Sequence, residues 1–213
     1  MNIMLYLRQL LILWVSVMVP CAFALEIKVV DQNGAPVKDA VIAIPEGSIT
    51  AISPEPAIMD QIDVAFVPHV LAIEQGREVI FPNSDDIRHH VYSFSEPKRF
   101  EIKLYKGVPK TPITFDQSGL VALGCNIHDS MLGYIFVSPW PEFKITDTSG
   151  LVTLSKAVNT VAVWHPWIPN LTEPMMVELT AQEDVNLFQI TLNLNQPQPV
   201  KRYKKKYKKR YND

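Results

Sequence analysis

Three side chains that can bind a soft metal ion, those of Cys125, His128 and Met131, lie within seven residues of each other. They follow directly on the apolar run 120–123, which has the composition of a buried β-strand. A loop this short does not surround an ion by itself, so another ligand has to come from a different strand. The segment therefore favours a rigid β-scaffold that holds a strand end against a second, ligand-bearing strand.

A second source of ligands lies upstream, where His89 and His90 stand at the entrance of the strand-like run 91–94. Successive side chains of a strand point to opposite faces, so only one of this adjacent pair is expected to face the ion. Asp85 and Asp86, just before the pair, are interpreted as a solvated loop rather than as an acid/base pair.

Two imidazoles, one thiolate and a weak thioether form the ligand set of a mononuclear blue-copper centre. A structural zinc site usually takes several Cys or His and no Met. A multicopper oxidase needs further His-x-His clusters, and the other two histidines are interpreted as a loop residue (His69) and a packing residue (His165). The alternative is a core Cys, a surface His and a core Met that coincide by chance.

The first 24 residues have the three parts of a secretory signal peptide. Arg8 is basic, residues 10–19 are apolar, and Ala22-Phe23-Ala24 is a small-x-small cleavage site. The apolar run is shorter than the roughly 20 residues that span a bilayer. We therefore predict that this segment is cleaved and that the protein is exported.

Cleavage after Ala24 would remove Cys21 and leave Cys125 as the only cysteine of the mature chain. A lone thiol in an oxidising compartment is a liability unless something occupies it. Metal ligation would protect it, which agrees with the ligand pattern around Cys125.

Short strand-like segments recur along the chain and predict an all-β fold. Residues 62–66 alternate apolar and polar side chains and predict a single half-buried strand. The remaining predicted strands are 26–30, 37–44, 70–73, 78–81, 91–94, 100–102, 134–137, 160–164 and 187–194.

Residues 66–68, 75–83 and 89–91, followed by the Cys125 loop, resemble the cupredoxin (plastocyanin/azurin-like) pattern over about residues 61–137. The C-x-x-H-x-x-M spacing is similar to that of amicyanin. The whole chain resembles periplasmic cupredoxin-domain proteins of the "methylamine utilization protein" type.

The resemblance implies a Greek-key β-sandwich that holds one mononuclear copper ion, cycling between Cu(I) and Cu(II), on His89, Cys125, His128 and Met131. In the family the upstream ligand His is followed by Asn, so alignment favours His89 and keeps His90 as the alternative. A His in the Asn position departs from the family. The resemblance also implies that His128 is the exposed electron portal.

The turn Asp31-Gln32-Asn33-Gly34-Ala35-Pro36 resembles the opening of carboxypeptidase-regulatory-like (transthyretin-like) β-sandwiches. The T-D-x-x-G turn that normally follows soon after stands at 146–150, about a hundred residues later. This gap predicts a domain inserted at a loop tip, where insertions are best tolerated. The predicted organisation is a signal peptide (1–24), a split sandwich (25–57 plus 141–197), an inserted cupredoxin domain (58–140) and a disordered basic tail (198–213).

Charge is unevenly distributed between the body of the chain and its tail. Residues 25–200 carry 11 basic and 21 acidic side chains, a net charge of −10, whereas residues 201–213 contain eight Lys or Arg. Such a tail can hold a protein on an anionic membrane, fold onto the acidic body or engage an acidic redox partner. Nucleic acid is a poor partner for an exported protein.

These patterns predict an electron-transfer protein rather than an enzyme. Its expected partners are redox proteins such as c-type cytochromes or a periplasmic dehydrogenase. Two alternatives stay open: a copper-binding carrier or sensor without redox turnover, and a metal-free structural β-protein.

Overall fold

The computed structural model describes residues 24–169, 173–179 and 187–195. These ranges contain seventeen β-strands and no helix, which confirms the prediction of an all-β fold. Within them, no helix has the length and apolar character needed to cross a bilayer. The predicted signal peptide, apart from Ala24, and the predicted basic tail 198–213 lie outside the described residues.

The strands follow each other at short intervals along the described chain. In order they are β1 (Leu25–Asp31), β2 (Val41–Ala43), β3 (Ala57–Ile58), β4 (Asp60–Ile62), β5 (Ala65–Val67), β6 (Val70–Glu74), β7 (Glu78–Ile80), β8 (His89–Ser93), β9 (Phe100–Tyr105), β10 (Ile113–Thr114), β11 (Gly119–Gly124), β12 (Leu132–Ser138), β13 (Phe143–Ile145), β14 (Leu151–Leu154), β15 (Thr160–Trp164), β16 (Met175–Glu178) and β17 (Leu187–Leu192).

The strands form five sheets, and each sheet takes its members either from β3–β12 or from the strands before and after them. The first group forms the five-stranded sheet β6-β12-β11-β8-β9, the sheet β10-β7-β3 and the hairpin β4-β5. The second group forms the sheets β14-β1-β17 and β13-β2-β15-β16. The predicted domain boundaries stay a prediction.

Each group of strands encloses its own buried apolar cluster. One cluster contains Ile27, Val29, Ile42, Val163 and Ile190 among its members. The other, which we call the metal-side core, contains Met59, Phe66, Ile73, Val79, Phe81, Val91, Phe115, Val121, Leu123, Cys125, Met131, Ile135 and Val137. Both candidate sulfur ligands are therefore part of a packed core.

Strand β12 shows how the metal-side core is separated from the rest of the molecule. Ile135 and Val137 belong to the metal-side core. Phe136, which points to the opposite face as strand geometry requires, joins a third cluster with Trp164 of β15. The Phe136 and Trp164 rings are 6.0 Å apart. The outer face of the five-stranded sheet thus packs on a strand of the other group.

The two turn motifs that lie about a hundred residues apart in the sequence meet in the structure. The buried hydroxyl of Thr146 donates to the carbonyl of Val37 at 2.7 Å and accepts from the backbone N–H of Ala40 at 2.9 Å. The backbone N–H of Val29 donates to the carbonyl of Gly150 at 2.8 Å. These bonds connect the chain before β3 to the chain after β12.

The prediction of a single strand over residues 62–66 is wrong, because the chain reverses direction within it. Asp63 and Val64 have φ values of 52° and 61° and form the turn between β4 and β5. Positive φ is uncommon outside Gly, Asn and Asp, and it is strained for a β-branched residue such as Val64. Val64 therefore gives no turn signal in the sequence, and we refer to the dipeptide as the 63–64 turn.

Candidate metal centre

Cys125 follows the last residue of β11, the central strand of the five-stranded sheet. Gly124, the residue before it, pairs with Leu132 of β12 on one side and with Tyr92 of β8 on the other. The Cys125 side chain is buried, with 3% exposure. Because the backbone is fixed on both sides, the position of the sulfur is set by the sheet rather than by the loop.

The loop after Cys125 folds as two successive turns, which explains its spacing of two residues between potential ligands. The backbone N–H of His128 donates to the carbonyl of Cys125 at 3.4 Å, and that of Met131 donates to the carbonyl of His128 at 2.9 Å. Each turn brings the next side chain back towards the strand end.

Three potential ligand atoms converge at this strand end. Sγ of Cys125 lies 4.0 Å from Nδ1 of His89 and 3.9 Å from Nδ1 of His128. All three atoms lie within 4.8 Å of one another. Protein bonds from Cys and His to a zinc ion are about 2.0–2.3 Å long, so separations near 4 Å suit atoms that share one ion between them. The donor set fits a soft or borderline transition metal.

Met131 lies in the metal-side core together with Cys125, and its side chain is 1% exposed. The structure thus places this residue in the same buried cluster as the thiol, one turn after His128.

His90 does not join this group of atoms. Its Nε2 lies 2.8 Å from Oε1 of Glu101, and its ring packs 5.5 Å from that of Tyr92. Of the two adjacent histidines, only His89 has a ring nitrogen near the thiol. This is the arrangement that alternation along a strand allows.

Asp85 sets the orientation of His89. Its Oδ2 lies 2.7 Å from Nε2 of His89, which is fully buried. An ionised carboxylate only accepts hydrogen bonds, so Nε2 is the ring nitrogen that donates to Asp85, and Nδ1 is the one that faces Cys125. Such an outer carboxylate fixes the tautomer and ring orientation of metal-binding histidines.

The Asp85 carboxylate also accepts hydrogen bonds from the 63–64 turn, at 2.7 Å from the Asp63 N–H and 3.0 Å from the Val64 N–H. Burial alone would raise the pKa of this carboxyl, but the bonds from Val64, His89 and Asp63 outweigh it and lower the pKa. The interpretation of Asp85 as part of a solvated loop is therefore wrong. Its role depends on partners 21 to 22 residues away, which no local pattern reveals.

Asn83 holds the segment between β7 and β8 in place. Its side-chain amide donates to the carbonyls of Ile87 and Tyr105, each at 2.9 Å, and its oxygen accepts from the Asp85 N–H at 3.1 Å. Asn83 is 4% exposed. This buried Asn supports the loop that precedes His89, a task that the sequence pattern did not assign to it.

The site is closed on one side and reaches the surface on the other. His89, Cys125 and Met131 are buried, whereas His128 is partly exposed. Exposed apolar side chains stand in the same two loops and at the start of β12: Ile87, Ile127 and Leu132. Of the four candidate ligands, His128 is the one that solvent reaches.

Comparisons with known proteins give structural neighbours only. No protein-family model matches the chain, and no curated protein matches it. A copper-containing nitrite reductase from Thermus scotoductus SA-01 is similar at 27% identity and a TM-score of 0.38, over 45% of this chain and 25% of that chain. This chain therefore spans about a quarter of the nitrite reductase.

A purple cupredoxin from Nitrosopumilus maritimus is similar at 20% identity and a TM-score of 0.35, over 38% of this chain and 99% of that chain. A reduced Cu(I) form of an amicyanin variant is similar at 17% identity and a TM-score of 0.36, over 46% of this chain and 98% of that chain. Each likeness covers less than half of the present chain.

Proposed function

We propose that this protein binds one mononuclear copper ion and carries single electrons between larger redox proteins. The observation that carries the proposal is the approach of two imidazole Nδ1 atoms, from His89 and His128, to within 4.0 Å of the buried thiol of Cys125. In this proposal those three residues are the strong ligands, and Met131 is the weak axial ligand.

The chemistry of the donor set supports copper. Thiolate and thioether sulfur favour soft ions, imidazole suits copper as well as zinc, and two His with one Cys and an axial Met are typical of blue-copper sites. Bound copper would supply the one-electron exchange between Cu(I) and Cu(II). The protein's part is to hold the donors still, which the paired strand end and the two-turn loop do.

The pattern of exposure supports a carrier rather than an enzyme. With four protein ligands, the proposed centre keeps no open position for a substrate. His128 alone among them is partly exposed, so it is the proposed route for electrons to and from a partner. The exposed Ile127 and Leu132 beside it are suited to a brief apolar contact with a haem protein.

We also propose that residues 58–140 form a cupredoxin domain inserted in a sandwich of residues 25–57 and 141–197. The grouping of the sheets supports this organisation. The proposed location is the periplasm, with c-type cytochromes or a periplasmic dehydrogenase as partners. A place in methylamine utilization belongs to the same proposal and rests on the sequence resemblance.

The test is the addition of Cu(II) to the purified protein, followed by visible and EPR spectra. We expect an intense thiolate-to-copper band with wild-type protein and no such band with Cys125→Ser. His89→Asn and His90→Asn form a matched pair of adjacent substitutions, and only His89→Asn should remove the band. A wild-type protein without the band, or equal loss in both His variants, would refute the proposal.

Electron exchange with a c-type cytochrome tests the carrier role separately. Fast, reversible oxidation and reduction of the bound copper is the expected result. If the copper were instead released to a Cu(I) chelator faster than it exchanged electrons, the protein would be a copper carrier or sensor.

A further inference from the structure

The 63–64 turn is held in a strained conformation although it contains no glycine. Asp63 and Val64 have φ values of 52° and 61°, and two-residue hairpin turns of this kind normally use Asn-Gly or Gly-Gly. Backbone strain of this sort persists where surrounding contacts hold the residues in the strained conformation, and it clusters at functional sites. The contacts that hold Asp63 and Val64 in this conformation therefore point to the function of the turn.

Those contacts come from a single carboxylate. Oδ1 of Asp85 accepts from the Asp63 N–H at 2.7 Å, and Oδ2 accepts from the Val64 N–H at 3.0 Å. Both N–H groups of the turn thus point at the two oxygens of one side chain. A further hydrogen bond joins the β4-β5 hairpin to the loop before β8, because the Asp60 carboxylate in β4 accepts from the Ser84 hydroxyl at 2.8 Å.

The same carboxylate holds the ring of His89. Its Oδ2 lies 2.7 Å from Nε2 of His89, whose side chain has no exposed surface. Water therefore has no access to replace Asp85 as acceptor. With one oxygen committed to Asp63 and the other to Val64, the carboxylate has no freedom to rotate away from the ring.

We propose that the 63–64 turn and Asp85 act together as a positioning element for His89, fixing its Nε2–H tautomer so that Nδ1 faces Cys125. The proposal deepens the proposed function and rests on it for the identity of the metal. Within the described part of the chain, no hydrogen bond joins the turn directly to a candidate ligand, and the turn reaches His89 through Asp85. It acts through Asp85, so a change in the turn alters the metal centre without touching a ligand.

Asp85→Leu gives a sharp chemical contrast, because Oδ2 accepts from both Val64 and His89 and Leu has no acceptor to replace it. In this variant the Nε2 of His89 has lost the carboxylate that accepts its proton, so the Nδ1–H tautomer, whose proton faces the Cys125 sulfur, is favoured. A proton on Nδ1 blocks that nitrogen from binding a metal. Asp85→Glu keeps the charge and both acceptor oxygens.

The first measurement uses metal-free protein and long-range nitrogen–proton NMR of the His89 ring. We expect the Nε2–H tautomer in wild-type protein, its loss in Asp85→Leu and its retention in Asp85→Glu. An unchanged His89 tautomer in Asp85→Leu would overturn the proposal. This result does not depend on copper, so it stands apart from the test of the proposed function.

The second measurement tests the turn. Insertion of two glycines between Asp63 and Val64 moves their N–H groups from the carboxylate, and the matched control is the same insertion after Gly34 in the turn between β1 and β2. We expect the first insertion, like Asp85→Leu, to weaken Cu(II) binding by about tenfold to a hundredfold, and the control to leave it unchanged.

The outcomes separate three cases, provided that circular dichroism shows each variant to be folded. Equal copper affinity in the 63–64 insertion and the control would overturn the role of the turn. A changed tautomer in protein that binds no copper would support the positioning element and refute the blue-copper function. If the insertion variant does not fold, the His89 tautomer in Asp85→Leu decides the proposal.

Discussion

His165 makes the stability of this protein depend on pH in a way that can be calculated from its surroundings. It is 3% exposed, its Nε2 donates to the Lys38 carbonyl at 3.2 Å, and its Nδ1 accepts from the Trp167 N–H at 3.2 Å. Both nitrogens are therefore satisfied in the neutral ring. Protonation of Nδ1 would make it a second donor facing the Trp167 N–H, and neither group would then have an acceptor.

Burial lowers the pKa of His165 from 6.5 to about 4, although the Lys38 carbonyl and the charge of Asp39 act in the opposite direction. The unfolded chain then binds the proton more readily than the folded one. The full stability is present above pH 6.5 and is lost as the pH falls through about 4. At about 1.4 kcal/mol per pKa unit, this loss amounts to about 3 kcal/mol.

The assay is urea unfolding of metal-free wild-type protein and His165→Gln at pH 7 and pH 4.5. Gln keeps a donor for the Lys38 carbonyl and has no proton to gain in this range. Other groups titrate in both proteins, so their effects cancel in the comparison. We expect wild-type protein to lose about 2–3 kcal/mol more than the variant on acidification. Equal losses would show that His165 does not titrate as its surroundings require.

Three further substitutions test the packing and should leave the copper spectrum intact where they lie away from the ligands. Thr146→Val removes the hydroxyl that pairs with the buried N–H of Ala40 and should cost about 1–3 kcal/mol in urea unfolding; no loss would mean that the bond contributes nothing. Gly133→Ala places a methyl group 2.7 Å from Cβ of Phe66 in β5 and should lower the free energy of unfolding by about 1–3 kcal/mol. Unchanged stability would show that β5 can shift to make room for the methyl group. Trp164→Ala should cost about 3–5 kcal/mol while keeping the visible band, and loss of the band would show that this ring supports the metal centre.

Sequence reasoning succeeded where the determinant is local. The all-β fold follows from short apolar runs separated by turn residues, and β1, β8 and β12 appear close to the expected places. The approach of His128 to Cys125 is equally local, because one turn spans the two residues. Alternation along β8 predicts that only one of His89 and His90 faces the thiol, and the assignment of His89 as a ligand stays a prediction.

The parts that the sequence did not reveal depend on contacts between distant residues. Residues 62–66 alternate like one strand, yet the 63–64 turn forms because Asp85, about 20 residues away, accepts both of its N–H groups. Asp85 itself looks like a solvated loop residue until its partners are known. In both cases a tertiary hydrogen bond overrides a local pattern, and the energy that decides the conformation is not encoded within either segment.

The candidate ligands all come from the ends of neighbouring strands or from the loop between two of them. His89 is the first residue of β8, Cys125 follows β11, and His128 and Met131 lie in the loop that joins β11 to β12. These three strands are adjacent in one sheet, in the order β12-β11-β8. The ligand positions therefore depend on the hydrogen bonds among three neighbouring strands.

This origin also predicts which changes the centre tolerates. On β12, Ile135 faces the metal-side core, whereas Phe136 faces Trp164 on the other side of the sheet. Substitutions on the outer face weaken packing between the two groups of strands but leave the register of β8, β11 and β12 in place. Substitutions that shift the pairing of β8, β11 and β12, or that remove the hydrogen bond between Asp85 and His89, should change the metal centre even when they replace no ligand. Stability and metal geometry should therefore vary independently across a set of variants drawn from the two faces of this sheet.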